Sequence, residues 1–151
     1  MIKILFVCHG NICRSPMAEF VLKDMVKKAG IAEAFYIASA ATSTEELGNP
    51  VYPGTRKRLA QEGISVAGKH AVQIKRSDYE KYDYLIAMDN RNISNMKRIF
   101  GNDPDGKICR LLDYTNSPGD IADPWYTGDF DLTYDDVYAG CKAFLGKKSW
   151  N

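Results

Sequence analysis

The sequence predicts an α/β fold, with a parallel sheet covered by helices on both faces and a tight loop, read below as phosphate-binding from its residues, after the first strand. Three observations carry this reading. Apolar runs of strand length alternate with segments of helical periodicity along the chain, the pattern of strand–helix units whose sheet is buried on both sides. The 151 residues suffice for one core and are too few for two ordinary domains, so residues 1–151 are read as one domain. Finally, the run Cys8-His9-Gly10-Asn11-Ile12-Cys13-Arg14-Ser15 puts a thiol, a tight loop and an arginine between an apolar run and Pro16. A strand-to-helix junction of this kind is where such sheets bind ligands.

The elements follow in order. Ile2–Cys8 reads as the first strand, and Pro16 to about Ala29 as a helix with Ser15 as N-cap and proline at its first position. Met17, Phe20, Val21 and Met25 share one face of that helix, and Gly30 stops it. Phe35–Ala41 reads as the second strand, followed by a polar loop containing Gly48, Pro50 and Pro53. A short helix over Thr55–Glu62 ends at Gly63, and Ser77–Lys81 forms another brief one. Asp83–Met88 reads as the third strand, and Asn90–Phe100 as a helix capped by Asp89 and ended by Gly101. Ile108–Leu112 reads as a short fourth strand, and Asp113–Phe130 as a long loop rich in Asp, Pro, Gly and Tyr. Thr133 to about Lys147 forms the last helix, its apolar face made by Tyr134, Val137, Tyr138, Cys141, Phe144 and Leu145.

Composition narrows the function. A hydrophobic fraction of 45% and a charged fraction of 26% are those of a globular protein, and a formal net charge of +1 argues for no nucleic-acid partner. No apolar stretch is long enough to span a bilayer, and Met1–Val7 is too short for a signal peptide and lacks a cleavage site. No membrane partner and a cytoplasmic location are therefore expected. The four cysteines have neither a disulfide-framework spacing nor zinc-ligand spacing. Cys109 and Cys141 read as inert core residues.

The loop after the first strand carries the chemistry. Backbone N–H groups at a helix N-terminus bind anions. In that field and beside an arginine, the thiolate of Cys8 is favoured, and thiolate is the nucleophilic form. The pattern suggests covalent attack on a bound phosphate by an exposed thiolate. The competing reading is a turn with a buried cysteine and a surface arginine. Farther on, Asp123-Pro124-Trp125-Tyr126 admits two readings. It is a turn begun by aspartate, or a general acid beside a wall for an aromatic substrate. The cysteine loop favours the second, because a leaving alkoxide or phenoxide needs a proton.

Taken together, the C-x5-R-S-P loop, Ser39-Ala40-Ala41-Thr42, the Met88-Asp89 pair and the Asp-Pro-aromatic-aromatic loop resemble a low-molecular-weight protein tyrosine phosphatase over nearly the whole chain. The resemblance implies a four-stranded parallel sheet of order 2-1-3-4, no metal and no organic cofactor. It implies a phosphotyrosine protein or peptide as substrate and inorganic phosphate as product. Cys8 would attack phosphorus, Arg14 and the loop residues His9, Gly10, Asn11, Ile12 and Cys13 would hold the phosphate, and Asp123 would be acid and then base. Ser15 would donate to the Cys8 sulfur, Ser39 would bond the loop-shaping Asn11, Asp89 would orient Arg14, and Trp125 and Tyr126 would flank the substrate ring. Cys13 would trap an oxidised Cys8 as a disulfide, making the enzyme redox-sensitive.

Several positions depart from the family pattern. Glu45 stands where many members carry an aromatic wall residue, so the mouth is expected to be more open, more acidic, or walled by Tyr52. Lys69 and His70 both lie near the register of a family histidine. His9 is expected on the solvent side of the mouth. Arsenate reductases of the same fold need further cysteines after the third strand, and residues 82–100 contain none. Protein-arginine phosphatases carry threonine where this chain has Ile12 and lack the aromatic pair. A non-catalytic phosphate-binding or thiol-redox module is the alternative from a different class.

Overall fold

A computed structural model describes residues 1–147, so the last four of the expected domain 1–151 lie outside the described residues. Four strands, β1 (Ile2–Cys8), β2 (Phe35–Ala41), β3 (Tyr84–Ala87) and β4 (Ile108–Arg110), form one sheet in the order β2-β1-β3-β4. All three pairings are parallel, with Ile4 opposite both Ile37 and Tyr84. The order places β1 at the centre, and the turn that follows it lies where the chain leaves the sheet toward opposite edges.

Side chains alternate across a strand, so β1 feeds two cores. Ile4, Phe6 and Cys8 join Met17, Leu22, Val137, Cys141 and Phe144 on one face. Leu5 and Val7 join Ile74, Tyr79, Met96 and Phe100 on the other. The first face is covered by α1 (Arg14–Lys28), α2 (Pro53–Ala60) and α6 (Phe130–Gly146), the second by α3 (Asp78–Lys81) and α4 (Asn90–Phe100). Close approach decides where α6 lies. A Cβ on Gly140 would stand 2.4 Å from Leu111 Cγ, so a larger residue there would push α6 off the turn after β4.

β1, β2 and α4 match the sequence reading at both ends, β3 is shorter than Asp83–Met88 by one residue at each end, α3 starts one residue after Ser77, and the larger differences have local causes. Helix α1 begins at Arg14, so Ser15 is inside its first turn and is not the N-cap; Cys13 holds that position without a side-chain bond. The Ser15 hydroxyl is occupied by Cys8 and Asn11 instead. Leu22 and Val26 are buried on α1, whereas Phe20 and Met25 are only partly so. Helix α2 starts at Pro53 and not at Thr55, with proline using the first-turn position where its missing N–H costs nothing. Strand β4 stops at Arg110 because Asp113 accepts its backbone N–H at 2.9 Å and turns Leu111–Tyr114 into a 3-10 helix. The stretch read as one loop from Asp113 to Phe130 contains a further helix, α5 (Pro124–Thr127). Helix α6 starts at Phe130, capped by Asp129, and Tyr138 is exposed on it, off the apolar face.

Candidate active site

The loop between β1 and α1 is held by its own side chains. Asn11 takes a left-handed backbone with φ 58°, a conformation that asparagine tolerates better than most residues. Its amide donates to Ser15 Oγ at 2.8 Å and Ser39 Oγ at 2.9 Å, and its oxygen accepts from the Val72 N–H at 3.1 Å. Every polar atom of a side chain with 1% exposure is thus satisfied. Ser39 donates onward to Glu19 at 2.5 Å, which also accepts from Lys23 at 2.5 Å and faces Lys69 at 3.6 Å. Lys69 donates to the Ser39 carbonyl at 2.9 Å, while His70 is exposed and its ring bonds the Gly68 carbonyl of its own turn. Lys69, not His70, therefore joins the asparagine network. Burial lowers the pKa of Lys69, and the Glu19 carboxylate works against that.

Cys8 sits at the end of β1 with 3% of its surface accessible, so the expectation of an exposed thiolate is corrected: the sulfur is recessed on a cavity floor. Its Sγ accepts the Asn11 backbone N–H at 3.3 Å and lies 3.0 Å from Ser15 Oγ. Arg14 is buried beside it. Nη1 donates to Asp89 at 2.7 Å and to the Ile121 carbonyl at 2.9 Å, while Nη2 lies 3.5 Å from Asp123. Burial disfavours the charged guanidinium, but Cys8, Asp89 and Asp123 outweigh it and raise its pKa above the ordinary arginine value. Asp89 serves twice: one oxygen caps α4 through the Asn92 N–H at 2.8 Å, and the other holds Arg14. Asp89 thus makes both the cap bond and the contact with Arg14 that the two sequence readings called for.

These groups open into a cavity of about 200 Å³ lined by Cys8, His9, Gly10, Ile12, Cys13, Arg14, Glu45, Glu46, Asp123, Trp125 and Tyr126. Asn11, Ser15, Ser39 and Asp89 are not among its lining residues and act from behind it. Asp123 caps α5 through the Trp125 N–H at 3.0 Å, which brings Trp125 and Tyr126, 54% and 84% exposed, to the mouth. Tyr52 is not a wall of the cavity, as one sequence reading had it; its ring meets Trp125 edge-on at 5.1 Å and stacks on Phe130 at 5.8 Å, backing the wall that Trp125 makes. His9 does lie at the mouth, paired with Glu45. Cys13 shares the cavity with Cys8, and burial, aided by the charges of Cys8 and Asp123, pushes its thiol up to about 12.

The sequence reading missed Glu19, Glu46 and the Ile121 carbonyl, and left Lys69 and His70 as alternatives. Glu19 had a usable signal, since it falls four residues after Ser15 and so shares its face of α1. Glu46 and the Ile121 carbonyl had none, because they arrive from distant segments.

The sequence and the fold are similar to those of known proteins. Residues 3–149 match the family described as low molecular weight phosphotyrosine protein phosphatase. The low molecular weight protein-tyrosine-phosphatase YfkJ of Bacillus subtilis is 41% identical, covering 96% of this chain and 94% of that protein. Its crystal structure superposes with a TM-score of 0.92 over 96% of this chain and 92% of that one. The low molecular weight protein tyrosine phosphatase SP-PTP of Streptococcus pyogenes is 40% identical, with a TM-score of 0.88 over 99% and 94% of the two chains. The Drosophila arginine phosphatase DARP shares 31% identity, with a TM-score of 0.85 over 95% and 96% of the two chains.

Proposed function

The chain belongs to the low molecular weight phosphotyrosine protein phosphatases, a family of cysteine-dependent hydrolases, and from that premise we propose which of its residues perform the reaction. The observation that carries the assignment is the convergence on one cavity of Cys8 and Arg14, from the loop after β1, and Asp123, from a segment more than a hundred residues later. Phosphotyrosine enters with its phosphate toward the loop. The loop N–H groups and the Arg14 N–H groups not committed to Asp89 and Ile121 hold the three non-bridging oxygens. Cys8 Sγ attacks phosphorus in line, an S–P bond forms as the P–O bond breaks, and the Asp123 carboxyl gives its proton to the departing tyrosyl oxygen. Asp123, now a carboxylate, takes a proton from water, whose oxygen displaces the sulfur and releases inorganic phosphate. The Ser15 hydroxyl, 3.0 Å from Cys8 Sγ, donates to the sulfur as it leaves. Residues 1–151 act together as one phosphatase domain.

The test is phosphate release from a phosphotyrosine peptide with a metal chelator present, combined with acid quench and peptide mapping. We expect turnover unaffected by the chelator and a phosphate adduct on Cys8. An adduct elsewhere, or turnover without one, overturns the assignment. Ile12 favours this reading over a phosphoarginine phosphatase, since an apolar side chain lines the cavity at the position where that class carries threonine. The proposal extends to a protein substrate met in the cytoplasm, where thiols stay reduced; cell fractionation checks the location. Among the described residues, no helix is long and apolar enough to cross a membrane.

Redox control belongs to the same proposal. Peroxide oxidises the Cys8 thiolate to sulfenic acid, with hydroxide leaving; the Cys13 thiol then attacks that sulfur, expelling water and forming a disulfide. Oxidation removes the Cys8 charge, which is one of the causes holding the Cys13 thiol protonated. Wild type is expected to regain full activity with a dithiol reductant and to show a Cys8–Cys13 disulfide in peptide maps. Cys13→Ser is expected to run on to sulfinic acid and to recover poorly. Full recovery of Cys13→Ser would reduce Cys13 to a packing residue.

A further inference from the structure

We propose that the rim of the active-site cavity selects phosphotyrosine segments that carry a lysine or arginine next to the phosphotyrosine. The proposal rests on the phosphatase reading and concerns its substrate class. Charge within the cavity is divided by depth. Arg14 is buried on the floor, where the phosphate goes, whereas Glu45 and Glu46 line the mouth on the segment after β2. Among the described lining residues, the other nitrogen base is His9, and it is engaged by Glu45. Glu46 contacts neutral groups: Asn49 donates to it at 3.3 Å, and its Cγ lies 3.3 Å from where a Cβ on Gly10 would be. Its carboxylate is thus left with no countercharge from these contacts.

A second and independent feature favours the same partner. Trp125 and Tyr126 reach the mouth from α5, exposed at 54% and 84%. The Trp125 ring is steadied by Tyr52 at 5.1 Å. Aromatic faces attract ammonium and guanidinium groups, tryptophan most of all. One segment of the rim therefore offers carboxylates and another offers aromatic faces, and a cationic side chain is the one class that both attract. An acidic flank meets repulsion from Glu45 and Glu46 and gains nothing from the rings. The small net charge of the chain, +1, means that this preference is local to the rim and not a property of the whole surface.

The experiment compares three peptides that differ only in the residues beside phosphotyrosine: lysine, glutamine or glutamate. The kcat/KM values of wild type should fall in the order lysine, glutamine, glutamate. An exposed ion pair is worth up to about five-fold in affinity, so two rim carboxylates should separate lysine from glutamate by about two- to twenty-fold. The ratio should shrink with added salt, as the Debye length falls from about 10 Å at 0.1 M to about 3 Å at 1 M. In Glu45→Gln/Glu46→Gln the lysine-to-glutamate ratio should fall toward one; because it is taken within one enzyme, overall changes in turnover cancel. Binding of the same peptides to Cys8→Ser gives a second reading that needs no chemistry. Ratios near one in both assays, a reversed order, or a ratio untouched by the double substitution overturn the rim proposal. Absent turnover with the binding order retained overturns the phosphatase reading and upholds the rim.

Discussion

Cys8→Ser is expected to bring phosphate release to background while leaving fold and anion binding intact. Loss of a covalent nucleophile costs on the order of 10⁶-fold in well-studied hydrolases, so the residual rate should fall below detection. Serine at this position is a hydroxyl and not a thiolate, and the groups bonded to Cys8 Sγ among the described residues, the Ser15 hydroxyl at 3.0 Å and the Asn11 N–H at 3.3 Å, are not bases. The fold has no reason to change, since Cys8 is 3% exposed and serine is the smaller residue. The phosphate cradle also survives, because Arg14 is held by Asp89 and Ile121 and the loop by Asn11, none of which depends on sulfur chemistry. Serine leaves the cradle's N–H groups in place and brings no charge of its own, so the variant should bind phosphate as tightly as wild type or more so. Calorimetric titration with phosphate and a thermal melt check both points. Wild-type turnover by Cys8→Ser would refute Cys8 as nucleophile.

The second large effect is expected from Asp123→Asn, and its signature is a pattern across substrates. General acid catalysis typically contributes about 10²–10⁴-fold. The loss should approach that range for phosphotyrosine, whose phenoxide leaves poorly, and should nearly vanish for aryl phosphates with strongly acidic phenols. Asparagine keeps an oxygen for the Trp125 N–H that Asp123 now caps at 3.0 Å, so α5 and the aromatic wall should stay in place. The readout is the slope of log kcat/KM against leaving-group acidity, steep in the variant and shallow in wild type. Equal losses along the series would mean that Asp123 is not the acid. The two aspartates nearest to it along the chain do not line the cavity: Asp120 is bonded to Arg110 and to the Asn90 N–H, and Asp129 caps α6.

Sequence by itself determined the parts of this protein whose signals are contiguous. The apolar runs Ile2–Cys8 and Phe35–Ala41 appear as strands at those bounds, and Asp89 and Gly101 bracket α4 as cap and stop. Strand identity depends on a run of neighbours, and a cap on a single hydrogen bond between residues three apart. The loop motif likewise holds its functional atoms within eight residues, so Cys8, Arg14 and Ser15 could be named before any fold was known. Tertiary structure alone decided the rest, and the reason is distance along the chain. Arg14 meets Asp89 and Asp123 across 75 and 109 residues, and Lys69 reaches the Ser39 carbonyl across 30. No local pattern encodes such pairings; they exist because β1 lies between β2 and β3 and delivers their turns to the same end of the sheet. The same holds where sequence reading went astray. Ser15 has the chemistry of a cap, but packing gives its hydroxyl to Cys8 and Asn11; Cys8 looks accessible in a loop, but the elements folded around it place its sulfur on the floor of a cavity.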